Sequence, residues 1–121
     1  MRPPPRQPPS IDAYGAGGFR VSGRRREGSL LIVADEPMSW AVSSMETLTP
    51  QDLQPILERA RDVEFVLLGT GQAQALPPRP IRDALREAGV GLEFMDTPAA
   101  ARLYNVLASE GRRIAAALIA I

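Results

Sequence analysis

Apolar and polar positions change rhythm near the middle of the chain. In "FRVSGRRREGSLLIVAD", side chains alternate at Phe19–Val21, turn polar through Arg24-Arg25-Arg26, and become continuously apolar from Ser29 to Ala34. Alternation and short apolar runs bounded by glycine mark strands, so this stretch predicts an N-terminal β-hairpin with the arginines at its tip, between Gly23 and Gly28. "MSWAV", Met38–Val42, predicts a third short strand, with Trp40 as a packing residue. From Thr49 the spacing becomes helical. Thr49 reads as an N-cap, Pro50 takes the first helical position, and Leu53, Ile56, Leu57 and Ala60 share a face. Pro55 is expected to kink or split that helix, because it removes a backbone donor. A strand at Glu64–Leu68, a helix at Pro80–Ala88 stopped by Gly89, and a strand at Leu92–Met95 follow. Thr97 and Pro98 repeat the cap-and-proline start for a helix reaching Glu110; Gly111 ends it, and Ile114–Ile121 reads as a buried last strand. Strand and helix alternate from Val63 onwards. That order predicts βαβ crossovers and parallel strands, hence an α/β class with helices packed on the sheet.

Composition narrows the chemistry. With 121 residues, 45% of them hydrophobic, the chain suits one compact α/β domain over residues 11–121. The proline-dense opening "MRPPPRQPPS" buries too little apolar surface to order itself, so residues 1–10 are expected to be a disordered tail. It has neither the apolar segment of a secretory signal nor the amphipathic pattern of a mitochondrial presequence. Cysteine, histidine and lysine do not occur, and all 14 basic residues are arginine. Disulfides, thiolate and imidazole chemistry, Schiff bases and a phosphate-binding lysine are thereby excluded, which favours binding over bond-making. No cofactor is expected. Fourteen acidic residues balance the arginines, so no general attraction to nucleic acid is expected. The longest apolar run, Ile114–Ile121, is far below the roughly twenty residues of a spanning helix, so no integral membrane segment is expected and a cytoplasmic location is inferred. Arginine without lysine, with abundant Ala, Pro and Gly, suggests a GC-rich bacterial genome.

"EFVLLGTGQAQALPP" raises the question of a phosphate cradle. Gly69 and Gly71 fit two positions of a dinucleotide fingerprint, but Gln74 occupies the third, and "ALPPRP" separates the loop from the next helix. A tight turn, with positive φ at Gly69 or Gly71, is therefore preferred. Ligands of parallel sheets nevertheless gather at the carboxyl ends of strands, which makes Gly69, Thr70, Gly71, Gln72, Asp96 and Thr97 candidate binding residues, with Asn105 nearby. Two acidic features stand outside this cluster. On a helical wheel Glu110 falls inside an apolar arc running from Val106 to Tyr104, and a buried carboxylate needs a partner, so a structural ion pair with Arg112 or Arg113 is expected. Asp35-Glu36 could hold a metal only if a turn made both carboxylates converge, and no metal site is assigned.

The segments "IDAYGAGGFRVSG", "GSLLIVADEPMSW", "LLGTGQ" and "MDTPAAARLYNVLASEGRRIAAAL" resemble the complex I assembly factor 3-like, Mth-type domain family. The motif residues are Met95, Thr97, Ala99, Ala100, Tyr104, Asn105, Leu107, Glu110, Gly111 and Arg112, and the likeness spans Ile11–Ile121. The resemblance implies a mixed central sheet flanked by helices and supplies no reaction. It implies action through protein contacts, so the expected function is a non-enzymatic binding or assembly-factor-like domain with an unknown protein partner. The alternative is a small-molecule-binding protein or weak enzyme with its pocket at Gly69–Gln72, Asp96–Thr97 and Asn105. Homo-oligomerisation is left open.

Overall fold

Three two-residue turns organise the first third of the chain. Ala16-Gly17 (φ 52° and 79°), Ser22-Gly23 (48° and 82°) and Ala34-Asp35 (51° and 66°) each place two successive residues in the left-handed region. That geometry matches the twist of antiparallel strands and closes tight hairpins. In the computed structural model, which describes residues 6–121, the turns connect β1 (Ile11–Gly15) to β2 (Gly18–Val21), β2 to β3 (Arg24–Glu27), and β4 (Ser29–Val33) to β5 (Glu36–Trp40).

The hairpin expected from the sequence is thereby corrected. Arg24-Arg25-Arg26 is a strand instead of a tip, and β2 pairs with β3, with Val21 opposite Arg24. The turn lies at Ser22-Gly23, which supplies the two positive φ values an arginine run does not. β1, β2 and β3 form a small antiparallel sheet, while β4 belongs to the second sheet.

That second sheet has the order β5-β4-β8-β6-β7. Its later strands are β6 (Phe65–Gly69), β7 (Gly91–Met95) and β8 (Ile114–Leu118). β6 runs parallel to both neighbours, whereas β4 is antiparallel to β8 and β5, so the sheet is mixed. Between β5 and β6 the expected helix is broken into a 3-10 turn at Pro50–Leu53, a single turn α1 (Gln54–Leu57) and another 3-10 turn at Ala60–Asp62. Pro55 sits in the first turn of α1, where its missing N–H has no intrahelical partner to lose. Thr49 donates its N–H (2.8 Å) and hydroxyl (3.0 Å) to the Asp52 carboxylate, fixing the entry.

The two crossover helices cover opposite faces. α2 (Arg79–Glu87) joins β6 to β7 and buries Ile81 and Leu85 against Leu31, Val66, Leu68 and Ala117. Trp40 lies in the same layer, its indole N–H donating to the Asp52 carbonyl at 2.9 Å. α3 (Thr97–Ser109) joins β7 to β8 and packs with Phe19 and Val21 on Leu30, Ile32, Leu67 and Ala116. The small sheet thus extends the α3 layer.

α3 uses only the Tyr104 end of the apolar arc read from the wheel. It buries Thr97, Ala100, Ala101, Tyr104 and Ala108, while Val106 is exposed. Ala100, Ala101 and Ala108 let the helix lie close to the alanine-rich β8, and Tyr104 fills the layer beside them. The first five residues of the expected disordered tail lie outside the described residues. Residues 6–10 have no regular secondary structure, yet Arg6 is fixed on the domain: its guanidinium donates twice to Asp35 (3.0 and 2.9 Å) and to the carbonyls of Gly111 (3.0 Å) and Arg112 (3.3 Å).

Candidate functional site

β6, β7 and β8 end side by side, and the residues that follow them meet at Thr97. The Thr97 hydroxyl donates to the Ile119 carbonyl (2.7 Å) and accepts the Gly71 N–H (3.0 Å), while the Thr97 N–H donates to the Gly71 carbonyl (2.8 Å). Gly71 has φ +109°, as the turn reading expects. Gly69 is needed for a different reason: a Cβ there would sit 2.9 Å from both Leu118 Cδ2 and Thr97 Oγ1. Thr70 donates its N–H to the Met95 carbonyl (2.9 Å), and its hydroxyl donates to Ala73 O (2.7 Å) and accepts the Ala75 N–H (3.1 Å).

Asp96, and not Thr97, caps α3: its carboxylate accepts the Ala99 N–H at 2.8 Å. A carboxylate of the chain itself therefore occupies the helix end that would attract an anion. Gln72 is exposed, and α2 begins only at Arg79, so no helix amides stand over the glycines. The structure thus brings Gly69, Thr70, Gly71 and Thr97 into one hydrogen-bonded knot with the ends of β7 and β8, and Asp96 lies beside it as the cap of α3.

Asn105 stands elsewhere on α3. Its side-chain oxygen accepts the Ile11 N–H and its amide donates to the Ile11 carbonyl, both at 2.8 Å, stapling β1 to the helix. The Glu110–Arg112 pair expected from the wheel is not formed. Glu110 is exposed at the C-cap, because the buried face lies at the Tyr104 end of the wheel's arc and Glu110 lies toward its Val106 end. Arg112 instead reaches Glu64 at 3.4 Å and lies 5.4 Å over the Phe65 ring. Glu64 also accepts the Arg113 N–H (2.8 Å). That hydrogen bond, aided by Arg112, holds the Glu64 carboxyl below the usual range. Burial pushes the Tyr104 phenol up, with nearby Asp35 acting in the same direction and Arg6 opposing it.

The principal surface clefts lie away from the knot, and none is lined by Gly69–Gln72, Asp96, Thr97 or Asn105. One of about 200 Å³ lies between Arg6, Asp35, Asp62 and Arg113. A larger one, about 540 Å³, opens between α2 and β7, lined by Leu85, Val90, Leu92, Phe94, Arg82 and Arg86 among others. Sequence reasoning missed this second cleft. Its signal was present as the alternation of Leu92, Glu93 and Phe94, which marks a half-covered strand. Among the described residues, no group of three or more acidic side chains could hold a metal ion, and no helix is long and apolar enough to cross a membrane.

A mixed five-stranded sheet carrying one helical layer and one helix-plus-hairpin layer defines an α/β domain of the Mth938-like kind. A Bordetella pertussis protein described as a Mth938-like domain is 30% identical, with a TM-score of 0.79 over 99% of this chain and 92% of that one. The chain belongs to the family described as protein of unknown function (DUF498/DUF598), whose model matches residues 11–119. An uncharacterized protein of Rhodobacter capsulatus is 41% identical over 90% of this chain and 82% of its own length. The bovine NADH dehydrogenase [ubiquinone] 1 alpha subcomplex assembly factor 3 is 34% identical over 90% of this chain, which spans 59% of that relative. A crystal structure of an outer membrane protein from Bartonella henselae matches with a TM-score of 0.87 and 35% identity, covering 93% of this chain and 95% of that one.

Proposed function

We propose that this domain is a non-enzymatic, assembly-factor-like module that works by binding another protein. The observation that carries the reading is the saturation of the strand-end knot. Thr97 and Thr70 spend their hydroxyls on backbone groups of their own chain, Asp96 caps its own helix, and Gly69 is filled by its neighbours. A small-molecule site needs convergent polar groups facing a cavity, and here such groups converge on each other. The assembly factor among the relatives supports the same reading, as does a side-chain repertoire without cysteine, histidine or lysine.

Affinity capture of the tagged chain from its native cells after brief cross-linking tests this. One or a few polypeptides recovered in near-equal amount are expected. A chain that recovers no polypeptide but copurifies one small molecule at one-to-one ratio would show the reading to be wrong.

A further inference from the structure

β7 is an edge strand with no strand paired to its outer side among the described residues. Gly91 donates its N–H to the Glu64 carbonyl (3.2 Å), and the Met95 carbonyl accepts the Thr70 N–H (2.9 Å), so Gly91 and Met95 spend these groups on the β6 side. By the alternation of a ladder, Leu92 and Phe94 between them present their N–H and C=O groups outward. Their side chains stand on the α2 face, where they are only partly buried and form one wall of the 540 Å³ cleft. Natural edges are usually blunted by proline, charge or a bulge. The opposite edge, β5, carries Pro37. β7 carries no proline, and its one charge, Glu93, lies on the other face from the cleft.

We propose that the outer edge of β7, with the cleft beside it, docks an extended acidic segment of a partner protein, which adds a sixth strand to the sheet. Main-chain hydrogen bonds to Leu92 and Phe94 would hold the segment, and alternate side chains would enter the cleft. Charge selects the acidic character. The cleft is lined by two arginines and no acidic residue; Arg82 Nε donates to the Pro77 carbonyl (3.2 Å), and Arg86 shares Asp83 with Arg79. A second copy fits poorly. Two-fold antiparallel pairing of β7 centred on Glu93 sets that carboxylate against its own image, and β7 brings no acidic side chain to the cleft face.

This inference rests on the protein-contact reading. The probe is a fluorescein-labelled octapeptide with threonine at every second position and valine and glutamate alternating at the others, so that both meet the cleft on one face of the strand. Saturable anisotropy is expected, with the largest amide shifts at Leu92 and Phe94. Affinity should fall about tenfold or more, at least about 1.4 kcal/mol, when Arg82→Glu and Arg86→Glu are combined. It should also fall when the peptide is N-methylated on the side that bonds to β7. Equal binding of a lysine-for-glutamate peptide, indifference to the double reversal, or shifts confined to another surface would overturn the proposal. So would self-association of the unliganded chain through the Leu92 and Phe94 amides. Capture from cells separates the two claims: a partner retained by the double reversal removes the edge proposal alone, whereas no polypeptide captured by the wild type removes the protein-contact reading.

Discussion

Thr97 places one hydroxyl between backbone groups of two other segments, the Gly71 N–H and the Ile119 carbonyl, at a fully buried position. Thr97→Val keeps the shape and strands both groups, so it should cost about 2–4 kcal/mol in chemical denaturation, with Thr97→Ser markedly milder. An unchanged midpoint for Thr97→Val would show that the knot does not hold the strand ends together. Glu110 sits at the other extreme: exposed and outside any ion pair among the described residues, it should change stability by no more than about 0.5 kcal/mol on replacement by alanine. The carboxylate that matters at this turn is Glu64. Its folded-state pKa lies below the ordinary 4.5, so its stabilising contribution is present above that value and is lost as pH falls through the folded-state pKa. A side-chain NMR titration should find its midpoint below 4.5, moving upward in Arg112→Ala. Sequence reasoning chose Glu110 because the apolar arc of the wheel runs on past Leu103 to Ala99 and the exposed Val106, beyond the face that is buried. The buried face is centred on Thr97, Ala101, Tyr104 and Ala108, and hydropathy alone ranks threonine and alanine too low to reveal that centre.

Among the elements, α3 combines close packing with a polar staple. Ala100 is completely buried against the sheet, so Ala100→Leu should overpack the layer and cost about 1–3 kcal/mol, while Val106→Lys should be nearly silent. Asn105→Ala removes both bonds to Ile11; about 1–3 kcal/mol should be lost, with faster hydrogen exchange at the Ile11 amide. The long crossovers were legible because caps, prolines and glycines punctuate them: Pro98 and Gly111 bound α3, and Gly89 stops α2 with φ +75°. The β1–β2–β3 meander was less legible. Its turns use Ala16 and Ser22 at positive φ, residues that do not announce a left-handed turn, and a run of three arginines resembles a loop until its pairing with β2 is known.

On the scale of the whole molecule, the central sheet is covered on both faces and the parallel strands end in the Thr97 knot, while the β7 edge and its cleft are the surface proposed for a partner. Arg6 ties the segment before β1 to the β4–β5 turn and to the end of α3; since its ion pair with Asp35 is partly exposed, Arg6→Ala should lower stability by only about 0.5–1 kcal/mol in thermal unfolding. The candidate binding residues at the strand ends were legible as a cluster because parallel strands must end together. Their internal saturation was not, since the Ile119 carbonyl that uses up the Thr97 hydroxyl lies 22 residues further along the chain. The central claim, action through protein contacts, is tested most directly by native mass spectrometry of the chain purified at its own expression level from its own cells. The account predicts a defined complex with another polypeptide, well above the 13.1 kDa of the chain alone. A peak at the mass of the single chain carrying a stoichiometric small-molecule adduct would contradict it.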